Sequence, residues 1–141
     1  MFELNPPATA PGTRTGSCQC GAVTYQVVGP VRDSYLCTCL HCSRTSGAPA
    51  VWWVAFEHDA LTWTGAGEPV WFATWPTLRR GWCPRCGSHL VSVADGAPTL
   101  SVTGTSLDRR AGADLEPYGH SFRDQTPAWM RITLAPEPPS P

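Results

Sequence analysis

The stretch Cys37-Thr38-Cys39-Leu40-His41-Cys42-Ser43-Arg44-Thr45-Ser46-Gly47 decides how the rest of the chain is read. Three thiols within six residues can converge on one metal ion and leave its fourth tetrahedral position unfilled. That is the ligand count of a zinc centre that does chemistry rather than one that only holds a fold. The other four cysteines form two pairs, Cys18-Gln19-Cys20-Gly21 and Cys83-Pro84-Arg85-Cys86-Gly87, each closed by a glycine. The second is a zinc-knuckle pattern, and no βαβ signal surrounds it of the kind a thioredoxin-like dithiol requires. Spacing alone permits several groupings of seven ligands. Local chelation closes the shortest loop, which favours Cys37, Cys39 and Cys42 on one zinc and Cys18, Cys20, Cys83 and Cys86 on a second. The four-thiolate group joins distant segments, a cross-link that adds folding free energy to a small β domain.

The two groups differ in charge. A divalent ion with four thiolates carries two units of negative charge and is closed. With three thiolates it carries one, and its open position accepts water, hydroxide or a substrate thiol. Among the four histidines, His41 adjoins Cys42, and adjacent residues rarely reach one tetrahedral ion. His89 reads as a core or edge histidine and His58 as a turn residue. His120 lies in a polar segment with Tyr118 and Phe122, and it is the candidate pocket residue and general acid or base. Arg44, Arg79, Arg80 and Arg85 flank the cysteine motifs; each taken singly reads as a solvated charge. Trp52 and Trp53 point to opposite faces of a strand, so one of them can line the zinc pocket.

At 141 residues the chain is long enough for one hydrophobic core and too short for two ordinary domains. A net charge of -1 and 15% charged residues exclude the basic footprint of a nucleic-acid binder. The longest apolar run, Ala48 to Phe56, is far below the roughly 18 residues of a membrane span, and no signal-peptide pattern opens the sequence. A reducing cytoplasm is therefore expected, where clustered thiols are metal ligands rather than disulfides. Lysine is absent, so Schiff-base catalysis is excluded and arginine supplies every fixed cation. Nothing in the sequence sets an oligomeric state.

The expected class is mainly β: a small single-domain zinc fold of antiparallel sheets with zinc knuckles. Residues 1–15 read as a flexible arm, 16–134 as the zinc-binding domain and 135–141 as a disordered proline-rich tail. Strands are expected at Ala22–Val28, Pro49–Phe56, Leu61–Thr64 and Val70–Thr74, with Pro49–Phe56 and Leu61–Thr64 as neighbours, while Val31–Leu36 returns the chain to the triad and Leu78–Trp82 leads into the second knuckle. His89–Ala94 and Thr99–Thr103 alternate apolar and polar residues around Asp95-Gly96-Ala97-Pro98, the pattern of a hairpin. Ala111–Thr126 reads as a surface connection with few fixed contacts, and Trp129–Leu134 as a closing strand. One helical turn is expected near Ser43–Ser46.

Together these blocks resemble the glutathione-dependent formaldehyde-activating enzymes, the GFA domain, a family that also includes centromere protein V. The residues are Gly16-Ser17-Cys18-Gln19-Cys20-Gly21-Ala22-Val23 with Tyr25, Cys37 to Cys42 with Arg44, Ser46 and Gly47, and Arg80-Gly81-Trp82-Cys83-Pro84-Arg85-Cys86-Gly87. Gly104-Thr105-Ser106-Leu107-Asp108 and His120-Ser121-Phe122 with Pro127 and Trp129 extend the likeness. The resemblance implies a β-tent zinc fold with Cys18, Cys20, Cys83 and Cys86 on a structural zinc and Cys37, Cys39 and Cys42 on a catalytic one. It implies a carbon-sulfur lyase whose partners are a small thiol, glutathione or similar, and a small aldehyde, joined reversibly as S-(hydroxymethyl)glutathione. The other class the residues allow is a non-catalytic zinc-stabilised binding or thiol-sensing module.

Overall fold

The computed structural model describes residues 12–139. Ten strands and one α-helix follow in order: β1 (Thr13–Ser17), β2 (Thr24–Val28), β3 (Asp33–Cys37), α1 (Leu40–Ser46), β4 (Val51–Glu57), β5 (Leu61–Trp63), β6 (Val70–Trp75), β7 (Leu78–Trp82), β8 (His89–Ala94), β9 (Thr99–Thr103) and β10 (Gly119–Ser121). They form a three-stranded sheet, β1-β2-β5, and a seven-stranded sheet, β10-β3-β4-β9-β8-β7-β6. The mainly β class read from the sequence is the class observed.

Strand alternation builds the core between the sheets. Val23, Tyr25 and Val27 from the small sheet meet Val54, Phe56, Leu90, Val91, Val93, Leu100 and Val102 from the large one. Burying such side chains stabilises by about 1.5–3 kcal/mol each. Central β4 is covered on both faces: Val54 and Phe56 enter the core, while Val51 and Trp53 pack with Cys37, Cys39 and Cys42 in a second cluster. Register explains the division, because Cys37 pairs with Val51 and Tyr35 with Trp53. Trp52 turns to the core, where its Nε1 donates to Ser34 Oγ at 3.0 Å. Its ring lies so close to Gly104 that a Cβ there would be 2.1 Å away, so only glycine fits.

Several expectations are corrected. β5 does not neighbour β4; it pairs antiparallel with β2 in the other sheet. Both edges of β4 are already taken by β3 and β9, and the turn at residues 57–60 hands the chain across, with Ala60 O accepting from Val28 N. No strand forms at 129–134. The large sheet is closed instead by β10, parallel to β3 within an otherwise antiparallel fold. Segment 111–126 is tied down: Leu115 is buried, its carbonyl accepts from Ser34 Oγ at 2.6 Å, and Asp114 pairs with Arg14 at 2.6 Å. The arm expected through residue 15 gives way to β1 from Thr13; its residues 1–11 lie outside the described residues. In the tail, Ala135 N donates to Pro117 O at 2.9 Å, and residues 140–141 lie outside the described residues.

Candidate metal centres

The first cysteine pair sits in the β1–β2 turn and the second in the β7–β8 turn, so their meeting joins the two sheets. The Sγ atoms of Cys18, Cys20, Cys83 and Cys86 all lie within 4.8 Å of one another. Gly21 (φ 80°) and Gly87 (φ 77°) take the left-handed conformation that closes each knuckle. Both turns aim backbone N–H groups at sulfur: Val23 N lies 3.2 Å from Cys18 Sγ, and Arg85 N and Cys86 N lie 3.4 and 3.5 Å from Cys83 Sγ. Donors of this kind favour the thiolate form that a metal requires. The four could hold a metal ion.

The second candidate centre draws its three thiols from one short segment. Cys37 ends β3, Cys39 is the N-cap of α1, and Cys42 lies in the first turn of that helix. Cys39 Sγ accepts from Cys42 N at 3.3 Å, the position usually held by Ser, Thr, Asp or Asn. The three sulfurs again fall within 4.8 Å of one another, and all are buried. Cys42 is singled out by its donors. Trp53 Nε1 lies 3.5 Å from its sulfur, and both Nη atoms of Arg80 lie 3.4 Å from it. Cys42 is held down at about 5, first by a hydrogen bond from the Cys37 thiol, against the opposing effect of burial, and then by Trp53 and Arg80. Cys37 is pushed up, first by that same bond and then by burial. Three mutually facing sulfurs with one favoured as thiolate suit a thiophilic divalent ion.

Arg80 is 3% exposed, which the sequence reading of a solvated charge missed. Arg44, Arg79 and Arg85 are exposed as expected. The signal lay in β7 itself: Arg79 and Arg80 are consecutive in a strand, so one had to face inward. Of the two tryptophans, Trp53 is the one at the cluster. His89 is not satisfied. Its ring stacks on Trp82 and meets Trp53 edge-on, yet neither buried ring nitrogen has a partner, and burial followed by the Arg80 charge holds it down at about 4. His41 is exposed and touches the Trp75 ring.

His120 pairs with Leu36 in the β10–β3 register, whereas Ser121 pairs with Cys37. It therefore shares a sheet face with Leu36 rather than with Cys37. There its Nε2 lies 2.9 Å from Oγ1 of Thr38, the buried residue between the first two triad cysteines. Thr38 Oγ1 donates to Phe122 O at 2.7 Å and lies 3.1 Å from Thr126 Oγ1. Phe122 is the one described non-glycine residue with positive φ, at 60°. The triad loop is thus clasped to segment 119–126. On the Cys37 face, Tyr35 packs against the thiol cluster and forms a wall of a cavity of about 480 Å³, lined also by Arg32, Asp33, Ser101 and the β10 residues including His120.

A family model for the glutathione-dependent formaldehyde-activating enzymes matches residues 13–125, which takes in both cysteine clusters, Arg80 and β10. The chain belongs to this family. The match stops before Pro127 and Trp129. Among solved structures, a crystal structure of a Rhodobacter sphaeroides protein has the same fold, with a TM-score of 0.59 at 22% identity, covering 76% of this chain and 99% of that one. No curated protein matches the chain. Among the described residues, no helix is long and apolar enough to cross a membrane.

Proposed function

We propose that the chain is a zinc-dependent carbon-sulfur lyase acting on a thiol-aldehyde adduct such as S-(hydroxymethyl)glutathione. The observation that carries this reading is the buried three-thiol cluster, which no fourth Cys, His, Asp or Glu joins among the described residues. In this reading Cys37, Cys39 and Cys42 hold the catalytic ion, and Cys18, Cys20, Cys83 and Cys86 hold a structural one. Zinc bound by the triad supplies a Lewis acid that favours the thiolate form of a substrate thiol.

The remaining work falls to the chain. The cavity beside Tyr35, with Arg32 and Asp33 at its edge, receives the body of the thiol compound. In the forward direction the sulfur forms a bond to the aldehyde carbon while the carbonyl oxygen takes up the proton the thiol has lost; the reverse step breaks that bond and returns the proton. Water serves as the proton carrier. His120 belongs to this scheme as a positioning residue, since it holds Thr38 and through it the backbone between Cys37 and Cys39.

The test is metal content followed by exchange NMR of glutathione and formaldehyde with the intact protein and Cys39→Ser. The expected result is two zincs per chain and exchange that is accelerated only by the intact protein. Equal exchange with both proteins sinks the lyase. Full metal loading with no acceleration favours the thiol-sensing module.

A further inference from the structure

We propose that Arg80 is the built-in counter-charge of the three-thiol centre, making that centre select an anionic fourth ligand, a thiolate, over a neutral one. The inference rests on the reading that the triad holds a divalent ion. It begins with an imbalance. Burying a guanidinium without an anion is costly, yet among the described residues no carboxylate forms an ion pair with Arg80. Its anion is the sulfur of Cys42, met by both Nη atoms at 3.4 Å.

The fork is fixed in that pose. Arg80 Nε donates to Thr74 Oγ1 at 3.1 Å, and its guanidinium lies 5.5 Å from the Trp53 ring centroid. Trp53 adds its own N–H to the same sulfur. The four-thiol centre has nothing equivalent: the N–H groups on its sulfurs belong to the backbone, and Arg85 in its own knuckle is exposed. Two clusters of the same ligand type thus differ in one fixed cation, and that cation stands at the one with a ligand to gain.

Charge counting gives the consequence. A divalent ion and three thiolates sum to one negative unit, which Arg80 cancels. An arriving thiolate then leaves the centre with one negative unit instead of two. The N–H groups on Cys42 also draw electron density from its sulfur and leave the ion a stronger acceptor, an effect in the same direction.

The experiment uses the full chain loaded with cobalt(II) and titrated separately with 2-mercaptoethanol and imidazole, without aldehyde, while the visible cobalt bands are followed. Arg80→Gln is expected to weaken thiol binding roughly tenfold or more and imidazole binding less than about threefold, because only the anion feels the lost charge. Arg80→Lys, which keeps the charge, is expected to stay within about threefold of the intact protein for the thiol. Unchanged thiol affinity in Arg80→Gln, or equal losses for both ligands, overturns the inference and leaves the proposed lyase standing. Should Arg80→Gln not fold, Arg80→Lys decides alone, and a loss of about tenfold in its thiol affinity overturns the inference. Cobalt that never enters the triad of the intact protein removes this inference and the proposed function together.

Discussion

Thr38 does more than separate two cysteines. Its hydroxyl carries one proton, given to Phe122 O, and its lone pairs face His120 Nε2 and Thr126 Oγ1. Thr38→Val keeps the shape and removes these bonds, leaving the Phe122 carbonyl with only the Gln125 N–H. The expected cost is about 1–3 kcal/mol of stability by denaturant unfolding; a change below about 0.5 kcal/mol means that the clasp holds nothing. The sequence offered no sign of this role, because a threonine between cysteines looks the same whether its hydroxyl meets water or a distant loop. Arg80 was hidden for a related reason. Parity within β7 says that Arg79 and Arg80 diverge, but which face receives Cys42 depends on strands far away in sequence.

Among the elements, α1 shows how a candidate metal ligand can also be a structural cap. Cys39→Ser keeps an oxygen at the N-cap position, whereas Cys39→Ala leaves Cys42 N without that acceptor. With metal removed from both proteins, Cys39→Ala is expected to be about 1 kcal/mol less stable than Cys39→Ser. Equal unfolding midpoints would show that the cap contributes nothing. The β7–β8 pair carries a second expectation through His89, stacked on Trp82. Its folded value of about 4 lies below the usual 6.5, first because of burial and then because of Arg80. Between those values the unfolded chain binds the extra proton, so the stability present above the usual value is lost as pH falls. The cost is about 1–2 kcal/mol at roughly pH 5. His89→Phe should remove this slope, and it should be stabilising near neutrality by about 1 kcal/mol because two unpartnered nitrogens disappear. Parallel pH profiles for the two proteins would contradict it. Elements with their own local pattern, such as the β8–β9 hairpin, were legible in the sequence. The strand at β5 was legible too, but its pairing with β2 was not, and β10 was missed altogether, because three residues carry too little alternation and such partners are set by which sheet edges stand vacant.

For the whole molecule, the four-thiol cluster brings together a turn from each of the two sheets. Its cysteine motifs made the convergence of these four thiols readable before any strand was placed. Metal bound there couples directly to folding, on the order of 10 kcal/mol in small zinc domains, comparable to the whole stability of a domain. Cys83→Ser should therefore lose the cooperative fold, seen as collapsed amide dispersion in NMR, while Cys39→Ser keeps it. A folded Cys83→Ser protein would reduce the centre to an ornament of an already stable core. The clasp at Thr38 has a further meaning in the language of linkage. A residue that belongs to the metal loop and also secures segment 119–126 makes the two share one free energy, and such coupling is reciprocal. Loading the triad should slow amide hydrogen exchange at Gly119–Thr126, and a substitution that frays this segment should weaken metal binding by the same factor.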